Sequence, residues 1–294
     1  MADTTGELLS LAADTSDSPR ARALRRLARR KAALVGLCLI ALFTALALLA
    51  PLIAPYDPAA QSWATVRKPP SLAHWLGTDE VGRDVLSRLI WGARASLLAG
   101  LIPVTMAVVV SIPLGLVSGY AGGWIDDLIM RLTDAMLAIP FLIVAIALAA
   151  FLGPSLTNAM IAIGIAALPV FVRLARNTVL TVKAEEYVEA ARALGGSPFR
   201  IGVRAILPNM LPPLVIQSSL TVAAAIIAES SLSFLGLGQQ PPAPSWGSML
   251  NTAKNYVENA PWMAVWPGLS IFLLVLSFNL LGDGLRDVFD PKLG

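Results

Sequence analysis

The sequence has 294 residues, of which 56% are hydrophobic and only 14% charged, with a net charge of +3 and a mean hydropathy of +0.70. Soluble domains carry about a quarter charged residues, so the composition excludes an ordinary soluble enzyme and predicts a polytopic membrane protein. The single cysteine, Cys38, and the single histidine, His74, predict neither a disulfide nor a metal site nor a Ser/His/Asp triad. The basic residues lie beside apolar runs, so they indicate membrane orientation and no nucleic-acid partner.

The N-terminal part predicts a tail followed by a membrane helix. Residues 1–19 are rich in Asp, Ser and Thr and are expected to be disordered, and residues 20–31 carry a basic cluster. Residues 32–56 are uncharged and long enough to cross a bilayer. A secretory or twin-arginine signal is the alternative, but its apolar core is shorter, about 7–15 residues. Residues 1–31 are therefore predicted to be a cytoplasmic tail and residues 32–56 the first transmembrane helix.

Residues 57–94 are predicted to form an extracytoplasmic connector with an amphipathic helix at its end. Thr78 or Asp79 can cap this helix. His74 precedes it in a polar stretch, where a lone histidine is expected to be exposed and incidental. The helix is expected to lie at the membrane interface, with a polar face made of Arg83, Asp84, Ser87 and Arg88.

Residues 95–294 are predicted to form a core of five further membrane helices. Gly115 and Gly119 favour close packing inside the subunit. Arg173 and Arg176 are expected to reach water at the cytoplasmic end of the fourth span. The outward loop after residue 235 is expected to contain a short amphipathic helix. The spans are expected at residues 95–125 (broken by Pro103 and Pro113), 135–172 (two spans, divided at Gly153–Pro154), 211–235 and 262–281.

The polar segment Lys183–Asn209 is predicted to form two short helices around a tight corner. Gly195 and Gly196 favour a left-handed turn, and Ser197 with Pro198 can start a second helix, which Pro208 would end. An apolar ridge with charged flanks predicts a segment held by another protein, whereas the alternative is a solvated loop. The expected ridge consists of Tyr187, Ala191 and Leu194 on the first helix, and of Phe199, Val203 and Ile206 on the second.

The same segment carries a family resemblance. Glu189-Ala190-Ala191, then Gly195, then Leu207-Pro208 have the spacing of the EAA loop of ABC importer permeases, which the segment resembles. The family has isoleucine ten residues after the glycine, where this chain has Ala205 followed by Ile206. In that family the loop lies in a cleft of the ATPase subunit. The resemblance implies an ATPase-coupling role for Glu186, Glu189, Ala190, Ala191, Gly195, Ser197, Pro198, Phe199, Arg200, Leu207 and Pro208.

Further motifs resemble the C-type permease subunit of dipeptide, oligopeptide and nickel importers. They are Gly77-Thr78-Asp79, Gly82-Arg83-Asp84, Ser87-Arg88 and the ending GDGLRDVFDPKLG. The resemblance implies an all-α, six-span type I ABC importer permease fold in the bacterial inner membrane, with both termini cytoplasmic. It also implies a heterodimer with a B-type permease, two cytoplasmic ATPase subunits and an extracytoplasmic substrate-binding protein. The cargo would be di- or oligopeptides, with nickel and glutathione left open.

The chain contains no Gly-Lys pair and hence no P-loop. No cofactor or catalytic residue is expected in this chain, and ATP and Mg²⁺ are expected on the separate ATPase subunits. An ion-coupled carrier would need several ionisable residues deep in the spans, and Glu229 is the one candidate. Carboxylates inside membrane segments are costly and usually functional. Two readings of Glu229 stay open: a structural partner or cap for Ser230 and Ser231, or a residue that lines the substrate path.

Overall fold

The computed structural model describes residues 30–289, and within that range it is helical with no β-strand. The predicted tail, apart from Arg30 and Lys31, and the last five residues lie outside the described residues. A 3₁₀ turn, Trp63–Thr65, and a π-helical turn, Gly202–Ile206, complete the secondary structure. The helices are α1 Lys31–Ile53, α2 Val85–Ala121, α3 Gly123–Leu137, α4 Phe141–Leu152, α5 Leu156–Lys183, α6 Glu186–Ala193, α7 Pro198–Ile201, α8 Leu207–Phe234, α9 Trp246–Ala253 and α10 Trp262–Phe289.

These helices confirm the prediction of an all-α membrane protein. Five stretches of the described chain are long and apolar enough to cross a membrane: α1, α2, α5, the run from Pro198 to Phe234, and α10. Helices α3 and α4 satisfy the same criterion together, although they meet at an angle of 90°. The bundle therefore has six spans when this bent pair is taken as one.

The two ends of the bundle are fixed by contacts between residues far apart in sequence. We call the end with α6 and α7 the hairpin end, and the end with residues 54–84 the connector end. At the hairpin end, Lys183 Nζ donates to the carbonyl oxygens of Gly119 and Tyr120, at 3.3 and 3.2 Å, and so caps α2. At the connector end, Trp262 Nε1 donates to the carbonyl oxygen of Thr78 at 3.1 Å.

Close packing between α2 and α5 depends on the two glycines that the sequence singled out. A Cβ atom at Gly115 would lie 2.3 Å from Ala175 Cβ, and one at Gly119 would lie 2.7 Å from Val179 Cβ. The predicted use of this pair inside the subunit is confirmed. Because glycine has no side-chain carbon, the two helix backbones can approach closely. This close approach supplies the dispersion contacts that hold membrane helices together.

The start of the second span differs from the prediction. Helix α2 begins at Val85, because the Asp84 carboxylate caps it by accepting the Ser87 N–H at 2.8 Å. Neither Thr78 nor Asp79 is a cap, and there is no separate interfacial helix, since α2 runs unbroken for 37 residues. Pro103 and Pro113 lie inside it, as neighbouring helices can satisfy the carbonyls that a proline leaves free.

The third span also differs, because it is bent. The predicted division at Gly153–Pro154 is present, but a second break separates α3 from α4 at residues 138–140. Pro140 has no N–H and disfavours a helical conformation at Ile139, which accounts for the break.

Helix α3 is tied to α5 by ion pairs. Arg176 Nε donates to Asp126 Oδ1 at 2.6 Å, and Arg173 pairs with Asp134. Both arginines also keep the expected access to solvent, since the side chains of Arg173 and Arg176 are 48% and 25% exposed. Their carboxylate partners both lie on α3, which connects the second span to the bend.

Candidate functional site

The corner of the predicted helical hairpin is present and is built on two glycines. Gly195 has a φ of +79°, and its N–H donates to the Arg192 carbonyl at 3.0 Å. The Gly196 N–H donates to the Ala191 carbonyl, also at 3.0 Å, which completes a Schellman motif at the end of α6. Gly196 itself has no positive φ, contrary to expectation. Its role is steric, because a Cβ atom there would lie 2.7 Å from the Ala191 oxygen.

The second helix of the hairpin starts as the sequence predicts. Ser197 is the N-cap of α7, its Oγ accepting the Arg200 N–H at 3.4 Å, and Pro198 occupies the first turn. Charged side chains of the hairpin, among them Glu186, Glu189 and Arg200, are exposed, and within the described residues they form no ion pair. Their charge is thus available to a partner.

The apolar residues of the hairpin divide into an anchor and an exposed tip. Val188, Ile201 and Ile206 are buried and hold the hairpin against the bundle. Leu194 is 89% exposed and Phe199 80% exposed. Ile206 was predicted on the displayed ridge with Phe199, but it belongs to the anchor. Since large apolar side chains are rarely exposed together without a reason, the tip indicates a binding surface.

The hairpin continues directly into the fifth span. The turn Gly202–Ile206 is π-helical, and the Leu207 N–H donates back to the Gly202 carbonyl. Pro208 was predicted to stop the helix, but it lies in the first turn of α8, where the missing N–H is tolerated. Residues 198–234 therefore form one run of 37 residues. A π turn is a rare feature that often marks a functional position in a helix.

One face of α8 lines two successive cavities. The first, of about 400 Å³, lies beside the bend between α3 and α4 and is also bounded by α5. The second, of about 370 Å³, lies between α4, α9 and α10. We call the two cavities together the α8 groove. Its α8 residues follow helical spacing along one side: Gln217, Leu220, Thr221, Ala224, Ile227, Ser230, Ser231 and Phe234.

The walls of the α8 groove are uncharged. Its lining side chains are mostly aliphatic or aromatic, with a few that form hydrogen bonds. Gln217 Nε2 donates to Thr221 Oγ1 at 3.1 Å, which leaves the carboxamide oxygen of Gln217 for another donor. Such a surface suits a ligand that is neutral overall and has amide groups.

Glu229 lies on a different face of α8. The residue is fully buried, its Oε1 accepts a hydrogen bond from Ser233 Oγ at 2.6 Å, and it lines neither cavity of the groove. The Ser233 hydroxyl also accepts the Gln239 N–H at 3.2 Å. Glu229 is thus linked to the loop after α8. Its hydrogen-bond partner is Ser233, and not Ser230 or Ser231, the two serines that the sequence suggested.

A buried charged cluster, which the sequence analysis missed, lies at the connector end. Arg83 Nε donates to Asp79 Oδ2 at 2.6 Å, Arg83 Nη2 donates to Glu80 Oε1 at 2.5 Å, and Arg88 Nε lies 3.4 Å from Asp79 Oδ2. Arg83 and Arg88 were expected on a solvated helix face, but both are buried. The sequence carries one indication of this cluster, because Asp79 and Arg83 have opposite charges and lie four residues apart.

His74 was expected to be incidental and exposed. Its Nδ1 instead lies 2.9 Å from Asp84 Oδ1, and its side chain is largely buried. The other Asp84 oxygen caps α2, so His74 braces the first turn of that helix. No spacing rule predicted this contact, because it depends on the fold of the connector.

Two protein families match the sequence. "Binding-protein-dependent transport system inner membrane component" matches residues 111–294, and "N-terminal TM domain of oligopeptide transport permease C" matches residues 18–70. Among solved structures, the chain resembles one from the MetNI methionine ABC transporter in an inward-facing conformation. That match has a TM-score of 0.55 and 22% identity, and it covers 69% of this chain and 96% of the other.

Curated relatives match over nearly the whole chain. A dipeptide transport system permease protein of Alkalihalophilus pseudofirmus is 46% identical over 279 residues, which is 95% of this chain and 92% of the relative. A di/tripeptide transport system permease protein of Pseudomonas aeruginosa is 47% identical, over 94% and 93%. A glutathione transport system permease protein of Pectobacterium atrosepticum is 43% identical, over 92% and 90%.

Proposed function

Because this chain belongs to the family of binding-protein-dependent transport system inner membrane components, we propose that it forms the membrane path for short peptides in an ABC importer. The chain is a permease subunit with membrane-spanning helices, it works with ATPase and other permease subunits, and the ATPase is a separate polypeptide. The peptide cargo, the orientation of the termini and the detailed partner set are parts of the proposal.

The continuity between the hairpin and α8 carries this proposal. One run of 37 residues has the exposed tip residue Phe199 near its start and the groove-lining face along its later turns. A force applied to the hairpin is therefore transmitted along a helix, without an intervening flexible loop, to a wall of the α8 groove. This arrangement suits a subunit that converts the movement of a partner into a change of access.

The cargo is proposed from the relatives and from the chemistry of the α8 groove. Relatives are named for dipeptides, di/tripeptides and glutathione, all of which contain amide bonds. The groove offers apolar walls and the Gln217–Thr221 pair, whose neutral groups can exchange hydrogen bonds with a passing amide. A divalent cation such as nickel favours imidazole, thiolate or carboxylate ligands, and none of these lines the groove.

The proposed assembly has a homologous B-type permease, two cytoplasmic ATPase subunits and an extracytoplasmic substrate-binding protein. The exposed Leu194 and Phe199 at the hairpin tip support an ATPase contact at that end. Exposed apolar residues of α3, such as Trp124 and Leu132, support a contact with the second permease or with lipid. ATP and Mg²⁺ bind on the ATPase subunits. We place both termini in the cytoplasm, because Arg30 and Asp287, near the two ends of the described chain, are paired at 3.5 Å and the hairpin end is taken as the cytoplasmic side.

Transport then follows from a switch between two states. ATP-driven closure of the ATPase pair displaces the hairpin of this subunit and the corresponding hairpin of the second permease. In this subunit α8 then moves as a rigid body relative to the bend between α3 and α4. The groove opens to the binding protein in one state and to the cytoplasm in the other. We do not propose an ion-coupled carrier, since Glu229, the carboxylate on which that hypothesis depended, lies away from the groove.

Cysteine substitutions at two neighbouring alanines of α8 test whether the α8 groove is part of the transport path. In a Cys38→Ser background, Ala224→Cys places a thiol on the groove wall, whereas Ala225→Cys places one at a fully buried position. The complete transporter, with its binding protein, is reconstituted in vesicles, treated with a bulky thiol reagent and tested for uptake of a labelled dipeptide. Modification of Ala224→Cys should reduce uptake at least about tenfold, a change of about 1.4 kcal/mol in the barrier. Ala225→Cys should not react.

Unchanged uptake after full labelling of Ala224→Cys would remove the α8 groove from the path. Competition in the same vesicles distinguishes the cargoes. An excess of unlabelled glutathione should reduce dipeptide uptake if the transporter accepts both, and excess Ni²⁺ should leave it unchanged. Uptake of ⁶³Ni²⁺ by these vesicles, together with no ATP-dependent uptake of any labelled di- or tripeptide, would contradict the peptide proposal.

A further inference from the structure

An apolar groove lies at the hairpin end, between the last turns of α2 and the second helix of the hairpin. It has a volume of about 340 Å³, and we call it the hairpin groove. It shares no lining residue with the α8 groove, and its wall contains no charged side chain. The wall includes Pro113, Leu116, Val117 and Tyr120 from α2, and Phe199 and Val203 from the hairpin.

The depth of the hairpin groove in the membrane follows from the exposed surface of α2. The large apolar side chains that α2 exposes extend from Leu98 to Val117, which are 19 residues apart. This separation is about 29 Å along a helix and matches the hydrocarbon core of a bilayer, which is about 30 Å thick. Val117 therefore lies at the boundary of that core. Tyr120 lies about one turn further, at a depth where amphipathic aromatic side chains are enriched.

The hairpin groove thus leads from the hydrocarbon core toward the headgroups. Pro113 and Tyr120 are seven residues apart, so this part of the wall is about 10 Å long. The Pro113 end shares a helix face with the exposed residues Val109 and Val110, three and four residues earlier. A soluble subunit cannot reach that depth, whereas an acyl chain already occupies it. The groove is therefore better suited to a lipid than to the ATPase.

A cation lies at the Tyr120 end of the groove. Lys183 Nζ is 5.7 Å from the centroid of the Tyr120 ring. It donates to the carbonyl oxygens of Gly119 and Tyr120, which leaves one of its three donors for another acceptor. Within residues 30–289 Lys183 forms no ion pair, and the nearby Asp126 carboxylate is paired with Arg176. The positive charge of Lys183 is therefore available to an anion.

A second cation flanks the groove on the hairpin. Arg200 directly follows the wall residue Phe199, is exposed, and forms no ion pair within the described part of the chain. The acidic residues of the hairpin lie on or next to α6, which contributes nothing to the wall. Basic pockets between membrane helices bind anionic headgroups, and a charged phosphate is a strong acceptor. The charge around the groove thus favours an anionic lipid over a neutral one.

We propose that the hairpin groove binds an anionic phospholipid from the leaflet at the hairpin end. Its acyl chain lies along α2 from Pro113 to Val117, and its phosphate accepts a hydrogen bond from the free donor of Lys183. Because Phe199 and Val203 belong to the same wall, the bound lipid also contacts the hairpin. The identification of this leaflet as the cytoplasmic one rests on the proposed function, whereas the binding itself does not.

Photolabelling of the complete transporter in lipid nanodiscs tests the proposal. Phosphatidylglycerol and phosphatidylcholine, each with a diazirine in an acyl chain, are added separately at the same trace amount, and the adducts are located by peptide mass spectrometry. Two cations beside one phosphate should favour phosphatidylglycerol about 30-fold at residues 113–121 and 198–203. Residues 98–102, on the exposed face of the same helix, should show equal labelling by the two probes.

A substitution that fills the groove tests its location. Val117 is 49% exposed, so Val117→Trp occupies the groove without disturbing the buried core. It should lower the labelling of residues 198–203 by phosphatidylglycerol at least about tenfold. Val109→Trp is the matched control, because Val109 is 63% exposed on α2 and lies outside the groove wall. It should label as the wild type does.

Substitutions of Lys183 test the role of the charge. Lys183→Gln should lower the preference for phosphatidylglycerol about fivefold, the effect of one cation. Lys183→Arg keeps the charge and should keep the preference, which separates loss of charge from loss of the α2 cap. Arg192→Gln removes an exposed cation of α6 outside the groove wall and should change nothing.

Three results would overturn the proposal. Equal labelling by the two probes at residues 113–121 would mean that the groove holds bulk lipid only. Labelling that appears only after the ATPase or the second permease is removed would assign the groove to that subunit. Normal labelling in Val117→Trp would place the lipid elsewhere. Since this test records lipid binding and the thiol experiment records peptide uptake, failure of one proposal does not imply failure of the other.

Discussion

Replacing Gly195 by valine should uncouple the hairpin from its ATPase partner while the bundle remains folded. The backbone at Gly195 has a φ of +79°, and a Cβ atom built there meets nothing within 4 Å. The penalty is therefore conformational and not steric. A β-branched residue in this region costs about 1–2 kcal/mol, which the chain relieves by opening the corner. Opening the corner breaks the two hydrogen bonds of the Schellman motif and displaces Leu194 and Phe199 relative to each other.

The structure supplies a matched control at the other end of the same bundle. Gly153, between α4 and α5, has a φ of +91° and likewise nothing within 4 Å of its Cβ position. Gly153→Val therefore carries a similar conformational cost at the connector end. If the strain acts on ATPase docking, about 1–2 kcal/mol corresponds to a 5- to 30-fold loss of affinity for Gly195→Val alone.

The assay compares three quantities for the two variants and the wild type. They are the amount of each variant in the membrane, the fraction of ATPase that co-purifies at limiting concentration, and the uptake of labelled dipeptide. We expect normal membrane amounts for both variants, with co-purification and uptake reduced only in Gly195→Val. Equal losses in the two variants would mean that general destabilisation explains the defect. Normal docking and uptake in Gly195→Val would refute the role of the tight corner.

Two further predictions concern the hairpin and the topology. Phe199→Ser should leave the melting temperature of the chain unchanged and weaken ATPase co-purification, because Phe199 belongs to the exposed tip. Ile206→Ala should lower the free energy of unfolding by about 2–5 kcal/mol, because Ile206 is buried in the anchor. The reverse pattern would contradict our assignment of tip and anchor. Reporter fusions after residues 31, 125, 205 and 294 should report from the cytoplasm and those near 65 and 250 from outside, and an external reporter at 205 would contradict the placement of the hairpin.

Several features were predictable because they depend on local sequence. The spans follow from uncharged stretches, since a bilayer tolerates few charges. The corner of the hairpin follows from Gly195 and from the Ser197–Pro198 pair, because positive φ and helix capping are properties of single residues and their immediate neighbours. The family resemblance rested on these short spacings and was confirmed by matches over most of the chain.

Helix continuity was decided by the tertiary structure. Prolines are read from sequence as stops, yet Pro103 and Pro113 lie inside α2 and Pro208 lies inside the run from the hairpin to α8. In an isolated helix a proline removes one hydrogen bond and its ring clashes with the carbonyl four residues earlier, so it is read as a stop. Inside a packed bundle neighbouring groups can satisfy the freed carbonyl, and a π turn can shift the hydrogen-bond register. That the hairpin and the groove wall are one helix was therefore not evident from the sequence.

The placement of charges was also decided by the fold. The sequence suggests that Arg83 and Arg88 lie on the polar face of an amphipathic helix and that Glu229 is a possible path residue. In the structure all three are buried away from the α8 groove. Sequence periodicity shows which residues share a face of one helix. It does not show which helix, loop or ion pair covers that face, because partners such as Pro242 for Arg88 lie far along the chain. Composition and spacing thus determined the membrane class and the hairpin, while long-range packing determined which side chains line the cavities and which are buried behind them.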